Sequence, residues 1–328
     1  MIWLTWRQHR REALIFAVFL VVIATYLILT GRAMYASYYQ VTGGMSVALC
    51  QQQQQQSDLC NRLTSAFNTM YYSNLFGLAA LLALPLLAGM FIGAPLVARE
   101  LETGTFRLAW TQSVTRLRWL LTKIGVVTSG FLLVSAAYVL LYQWWNWPNS
   151  YSENVIGSPL LQLGGILPLA YMVFALALGL AMGALLRRAV PAIFATHVGY
   201  AAVALAIYNW GRPNWLPPVV TTWDPYLTDV KVVATSRDWV LYYGYVDKSG
   251  KHLDMPTLLP TCAPSGSVDL RPGSDFNACL HAHGWLSTIV WQPADRYWAF
   301  QGVESGVLVA LALALVALTI WLVRRRIA

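Results

Sequence analysis

LFGLAALLALPLLAGMFIGAPLVARELETGTFRLAWTQSVTRLRWLLTK, residues 75–123, is apolar up to Ala98 and charged from Arg99 onward. A bilayer core of roughly 30 Å is crossed by about 20 residues of helix, so 75–98 reads as a membrane span. Five other runs read the same way: 13–31, 124–145, 159–186, 189–208 and 305–323. Backbone amides in lipid must be paired inside their own segment, and the alternation of barrel strands is missing, so each run is expected to be a helix. The expected fold class is all-α integral membrane, with six transmembrane helices. The fourth run carries Gly164, Gly165 and Pro168 near one end, where it could tilt, kink or begin with a short interfacial piece.

The whole composition fits lipid as solvent. Of 328 residues, 57% are hydrophobic and 11% charged, against about 25% charged in ordinary soluble domains. The net charge of +8 does not point to nucleic acid, because the basic residues sit at the ends of apolar runs and form no patch interleaved with aromatics. Their distribution sets topology instead. With the N-terminus inside, the inner set is Arg7, Arg10, Arg11, then Arg99, Arg107, Arg116, Arg118, Lys123, then Arg187, Arg188, and last Arg324, Arg325, Arg326. Only Glu12, Glu100 and Glu102 oppose them, and Glu304 falls at the outer mouth of the last span. Both termini are therefore expected in the cytoplasm, with the chain in the cell membrane. A signal peptide is the competing reading of the first 36 residues, but the 19-residue apolar run exceeds the usual h-region of about 7 to 15. Trp3 and Trp6 beside Arg7, Arg10 and Arg11 suggest a short in-plane helix before the first span.

On this map the chain divides into a five-helix part at 1–208, an extracytoplasmic domain at 209–304, and a last helix with a basic tail at 305–328. Residues 32–74 form an outer loop, and 98–123 a cytoplasmic segment. All four cysteines, Cys50, Cys60, Cys262 and Cys279, fall on the outer side, where disulfides persist. Four cysteines allow three connectivities. Pairing Cys50 with Cys60 and Cys262 with Cys279 needs the least chain closure; four free thiols, or a metal site, are the alternatives. The run Gln51–Gln56 reads as a low-complexity insert in a loop. Stretches such as VKVVATSRDWVLYYGYV hint at strands within 209–304.

Catalytic chemistry is hard to place on this sequence. It has no GxxxxGK[ST] phosphate loop, no HExxH, no strand-to-helix GxSxG and no paired intramembrane carboxylates. Gly89/Gly93 and Gly179/Gly183 are GxxxG spacings inside spans, suited to close helix packing within the chain or to a dimer contact. His197 is the strongly ionisable side chain placed well inside a span, either as a polar site or as a structural imidazole bonded to a neighbouring helix. His252, His281 and His283 could meet at a metal in the outer domain, though exposed loop histidines usually do not; no metal is expected.

The stretch 93–123 carries more than composition. The order Arg99, Glu100, Glu102, Gly104, Thr105, then Thr115, Arg116, Arg118 and Lys123 resembles the RExExGT…R…K signature of ABC transporter permeases of the type 2 exporter class. The opening WLTWRQHR and the late QPADRYWAFQ look like a bacterial, actinobacterial branch of that family. The resemblance implies that 98–110 is a coupling helix seated on a separate cytoplasmic ATPase, with Glu100 and Glu102 as contacts and Gly104 setting the turn. It further implies two copies of the chain, alternating access, ATP and Mg on the partner, and no cofactor on this chain. The hexaglutamine run and His197 depart from the family's pattern. A non-transporting sensor or immunity protein that binds a ligand through 209–304 is the alternative.

Overall fold

The computed structural model describes residues 2–52, 57–104, 115–149, 156–228, 234–235, 237–264 and 268–325. Its helices are α1 (Ile2–Tyr39), α2 (Val47–Gln52), α3 (Asp58–Ala88), α4 (Ala94–Thr103), α5 (Arg116–Asn146), α6 (Leu167–Leu186), α7 (Ala189–Ala206), α8 (Arg212–Trp215), α9 (Met255–Cys262), α10 (Asp275–His283) and α11 (Tyr297–Arg325). Six of the helical stretches are long and apolar enough to cross a membrane: Ala17–Tyr39, Leu81–Thr103, Leu117–Asn146, Leu167–Leu186, Ala189–Trp215 and Ala294–Arg325. The protein is multi-pass. The chain divides into two compact units, one of Met1–Ser150, Gln162–Ala206 and Gln301–Ala328, the other of Tyr151–Leu161 and Ile207–Phe300.

The first unit is the helical bundle, and α6 is its axis. Nearly the whole of α6 is buried, including Tyr171, Phe174, Leu176 and Leu180. Glycine explains how α6 can be so closely surrounded. A Cβ on Gly179 would strike the Gly89 carbonyl and the Ala94 amide, and one on Gly93 would lie 3.0 Å from the Leu176 carbonyl oxygen. The two GxxxG pairs therefore pack on one another inside the chain, where missing side chains let backbones touch. Gly89–Gly93 is a π-helical turn joining α3 to α4, a short distance beyond Pro85, whose ring removes one amide from the helix ladder. Toward the other end, Gly31 of α1 lies against Trp144 and Trp145 of α5. There Trp145 Nε1 donates to Thr30 Oγ1 at 2.9 Å, and the Tyr71 hydroxyl donates to Asn146 at 3.1 Å.

Several boundaries differ from those read in the sequence. No separate in-plane helix precedes the first span: α1 runs unbroken from Ile2, because neither Gly nor Pro interrupts it before Gly31. The fourth run does break near its start. Pro159–Gln162 is a 3-10 turn, Gly165 takes φ 62°, and the helix begins only at Leu167. Cys50–Cys60 joins α2 to α3 with a Cα separation of 5.6 Å, and Ser57 caps α3 by accepting the Cys60 N–H. Gln53–Gln56 lie outside the described residues.

The second unit amends the all-α expectation, since it contains an antiparallel four-stranded sheet in the order β1-β4-β2-β3. These strands are β1 (Val219–Trp223), β2 (Trp239–Val246), β3 (His252–Leu253) and β4 (Leu286–Gln292). Tyr245 of β2, Leu258 of α9, and Phe276 and Leu280 of α10 form its apolar core. Burial of the Tyr245 hydroxyl pushes its ionisation upward. Cys262–Cys279 bridges α9 and α10 at a Cα separation of 5.5 Å. Both disulfide pairings expected from loop closure are thus formed.

Candidate coupling segment and intramembrane site

The helix that leaves the bundle through α4 does not stop at the last apolar residue. It continues to Thr103 and closes at Gly104, which adopts the left-handed conformation with φ 72°. Continuity sets which way the acidic residues face. Glu100 lies four residues past Leu96 and three past Val97, on the side that packs into a cluster with Trp119, Leu120, Leu180 and Leu322. Its carboxylate is ion-paired there with the ammonium of Lys123, whose side chain is 3% exposed against 14% for Glu100. The Trp119 ring lies 4.9 Å from that ammonium. Glu102 turns toward another helix, and its Oε2 accepts the Ala189 N–H at 3.0 Å. It thereby supplies the first turn of α7 with a negatively charged acceptor.

The remaining motif residues bracket the same place. Thr115 caps α5 by accepting the Arg118 N–H at 3.3 Å, and Arg116 is the first helical residue. Arg99 and Arg118 are exposed. Thr105 lies outside the described residues, as does the rest of 105–114. Arg187 ends α6 with φ 56°, among the described residues the one non-glycine in the left-handed region, and its N–H bonds the Gly183 carbonyl at 3.0 Å. The motif thus gathers α4, α5 and the α6–α7 turn at one end of the bundle, and it uses both glutamates inside the chain.

A second polar group lies deeper and was not found by reading the sequence. Placing the start of the last span at 305 left Glu304 at its mouth. In the structure α11 starts at Tyr297, so Glu304 is two turns inside the helix and fully buried. The Tyr171 hydroxyl donates to Glu304 Oε1 at 2.7 Å and accepts from Gln162 Nε2 at 3.1 Å. Gln301, also buried, accepts the Ile166 and Leu167 N–H groups at 3.0 and 3.1 Å and donates to the Gly164 carbonyl at 3.2 Å. A side chain of α11 thereby satisfies amides that the start of α6 leaves open. The available signal was the spacing of Gln301, Glu304 and Ser305 on one helix face, directly after an aromatic interfacial segment.

The other sequence candidates do not converge. His197 of α7 is exposed, beside the buried Thr196 and Tyr200. His281 pairs with Asp224, His252 faces the Tyr242 hydroxyl at 3.4 Å, and His283 reaches the Cys279 carbonyl at 2.9 Å. Among the described residues one trio of possible metal ligands meets, Cys262, Cys279 and His283, and its two sulfurs are already bonded to each other.

The model of the family described as ABC-2 membrane transporter related matches residues 17–212. The chain belongs to this family. Its permeases are components of membrane transport, typically not catalytic themselves and typically working with an ATPase partner. No curated protein and no solved structure matches this ABC-2 chain. The match covers the first five spans, both glycine pairs and the RExExG stretch. It ends before the sheet and before α11, so Glu304 and Gln301 lie beyond it.

Proposed function

We propose that this chain is the membrane-spanning permease subunit of an ATP-driven exporter, of the actinobacterial branch, with both termini in the cytoplasm. Two copies would form the membrane core above two separate ATPase chains, which bind the ATP and Mg. Residues 209–304 would form an extracytoplasmic domain over the exit. The observation that carries this reading is the ABC-2 family match across five of six apolar helices, and the inner excess of Lys and Arg supports the orientation. Closure of the ATPases around ATP would press on residues 98–110 and shift the bundle between inward- and outward-open states. Such a shift requires the ATPase to bind one state more tightly than the other. The π turns at Gly89–Gly93 and Ile207–Gly211, where regular helix bonding is already interrupted, are suited to take up the bending.

We assign the direct contact to the ATPase to the exposed Arg99 and Arg118 and the 105–114 segment, since the Glu100 carboxylate is turned inward onto Lys123 and that of Glu102 accepts the Ala189 N–H. The test is reconstitution in liposomes. The purified chain alone should show no ATP turnover, and turnover should appear with a co-expressed phosphate-loop ATPase. Arg99→Glu with Arg118→Glu should reduce partner retention. Full retention and full turnover in that variant would sink the contact assignment, and ATP hydrolysis by the chain alone would sink the permease reading.

A further inference from the structure

Among the described residues of the bundle, three buried hydroxyls make no hydrogen bond, those of Ser135, Tyr138 and Ser305, and the first two lie together. Ser135 Oγ and Tyr138 Oη, one turn apart on α5 and 1% and 9% exposed, make no hydrogen bond. An unmet buried polar group is costly and asks for an explanation. Both residues line the same small cavity, walled also by Tyr171, Tyr200 and Gln162, with Leu81 and Pro85 of α3 on the apolar side. Its free volume is about 10 Å3, the room of one water or one primary ammonium group. Leu81 and Tyr138 are shared with a second, apolar cavity of about 220 Å3 between α1, α3 and α5, lined by Leu20, Ile23, Leu27 and Leu141.

We propose that these adjacent cavities, which share Leu81 and Tyr138 as walls, bind a single-chain amphiphile with a primary ammonium head, the head between Tyr138, Tyr171, Tyr200 and Ser135 and the chain in the groove. This deepens the permease reading by naming a class of cargo, and rests on it for its biological sense. The charge preference follows from what surrounds the cavity. Three tyrosines line it, and tyrosine rings and hydroxyl oxygens attract cations. The Tyr171 hydroxyl donates to the buried Glu304 carboxylate at 2.7 Å, which makes its oxygen a stronger acceptor. Among the described residues no Lys, Arg or His lines either cavity, so an anionic head would find no counter-charge among them. The size excludes a trimethylammonium head.

The experiment measures equilibrium binding of radiolabelled dodecylamine to the purified chain in phosphatidylcholine nanodiscs, with empty nanodiscs subtracted and no ATPase present. Failure here therefore leaves the permease reading untouched. Saturable binding of one dodecylamine per chain is expected, with dodecanol and dodecyltrimethylammonium weaker by at least about tenfold. Glu304→Gln, whose amide oxygen can still accept from Tyr171, should weaken dodecylamine by about tenfold or more while keeping wild-type thermal stability. Ala137→Trp, at an exposed position of the groove, should block the chain without touching the Glu304 network. Equal binding of dodecanol, unchanged binding in Glu304→Gln, or no saturable binding at all would overturn the proposal; the last result would leave the cavity to a water molecule.

Discussion

The pair Glu100–Lys123 decides whether the RExExG motif acts within the chain or only on a partner. Lys123 is 3% exposed, so removing the charge of Glu100 leaves an ammonium in the interior without its counter-ion, the Trp119 ring 4.9 Å away. Breaking a buried pair from one side costs roughly 3–5 kcal/mol, because the orphaned charge keeps its desolvation penalty. At 1.36 kcal/mol per decade this is more than about a hundredfold in the folding equilibrium. Replacing both partners with apolar residues of similar volume is commonly neutral or stabilising. Glu100→Leu and Lys123→Met alone should therefore each destabilise strongly, while the two together should lie within about 1 kcal/mol of wild type. The coupling energy is then about 5 kcal/mol or more. Reversible unfolding in SDS mixed micelles, followed by tryptophan fluorescence with Trp119 beside the pair, measures all four corners of the cycle. Single variants that cost under about 1 kcal/mol, or effects that simply add, would refute the intrachain role. The cycle also shows why reversing Glu100 alone is a poor probe of ATPase contact: Glu100→Lys sets two ammonium groups together in the core, so coupling would be lost through misfolding whether or not Glu100 touches the partner.

Three other outcomes follow from the geometry. Gly179→Ala should destabilise the bundle by about 1–3 kcal/mol, because the new methyl meets backbone that no rotamer change can move, whereas Gly302→Ala, with nothing within 4 Å, should be neutral or better in the same unfolding assay. Replacing Cys262 and Cys279 with serine should cost the second unit roughly 3 kcal/mol and make residues 255–283 a preferred site of proteolysis; unchanged cleavage kinetics would count against this. The Arg271 guanidinium, bonded at 2.6–3.1 Å, holds the Asp269 carboxyl down to about 2. Since the folded value is depressed, its contribution to stability is complete above the ordinary Asp range near 4 and is lost as pH falls toward 2. Arg271→Ala should return the Asp269 midpoint, read by carboxyl carbon NMR, to that ordinary range, and a midpoint still near 2 would contradict the assignment.

What the sequence disclosed was what one dimension can encode. Span length, the GxxxG spacings and the proximity of Cys50 to Cys60 and Cys262 to Cys279 are local facts, and all reappear in the structure. Gly104 was legible as a helix terminator for the same reason. The orientation of Glu100 and Glu102 was not, because it depends on whether the helix stops at the membrane boundary or runs on through Thr103, and that is decided by packing against Trp119 and Leu180. Glu304 was missed because a hydropathy window trims a span at its last charged residue, while the helix itself extends back to Tyr297. His197 was left open between a polar site and a structural imidazole, because the sequence alone does not say which helix face it takes; in the structure it is exposed.

The same contacts say how a load would travel. Residues 105–114 join the bundle at two points, Gly104 at the end of α4 and Thr115 at the start of α5. The Glu100–Lys123 pair fastens those two helices together within about two turns of both points. The Glu102 bond to Ala189 adds the start of α7. A force applied to the segment would therefore be delivered to α4, α5 and α7 jointly rather than to one flexible end. Deeper in, α4 is locked to α6 by the glycine pairs, which tolerate sliding poorly because backbone meets backbone. The compliance would then lie just before that contact, at Pro85, where the helix ladder already lacks an amide. Pro85 is also a wall of the cavity that holds Ser135 and Tyr138. On the proposed function, bending at that point would change the shape of the cavity and would link the motif end to the proposed binding site.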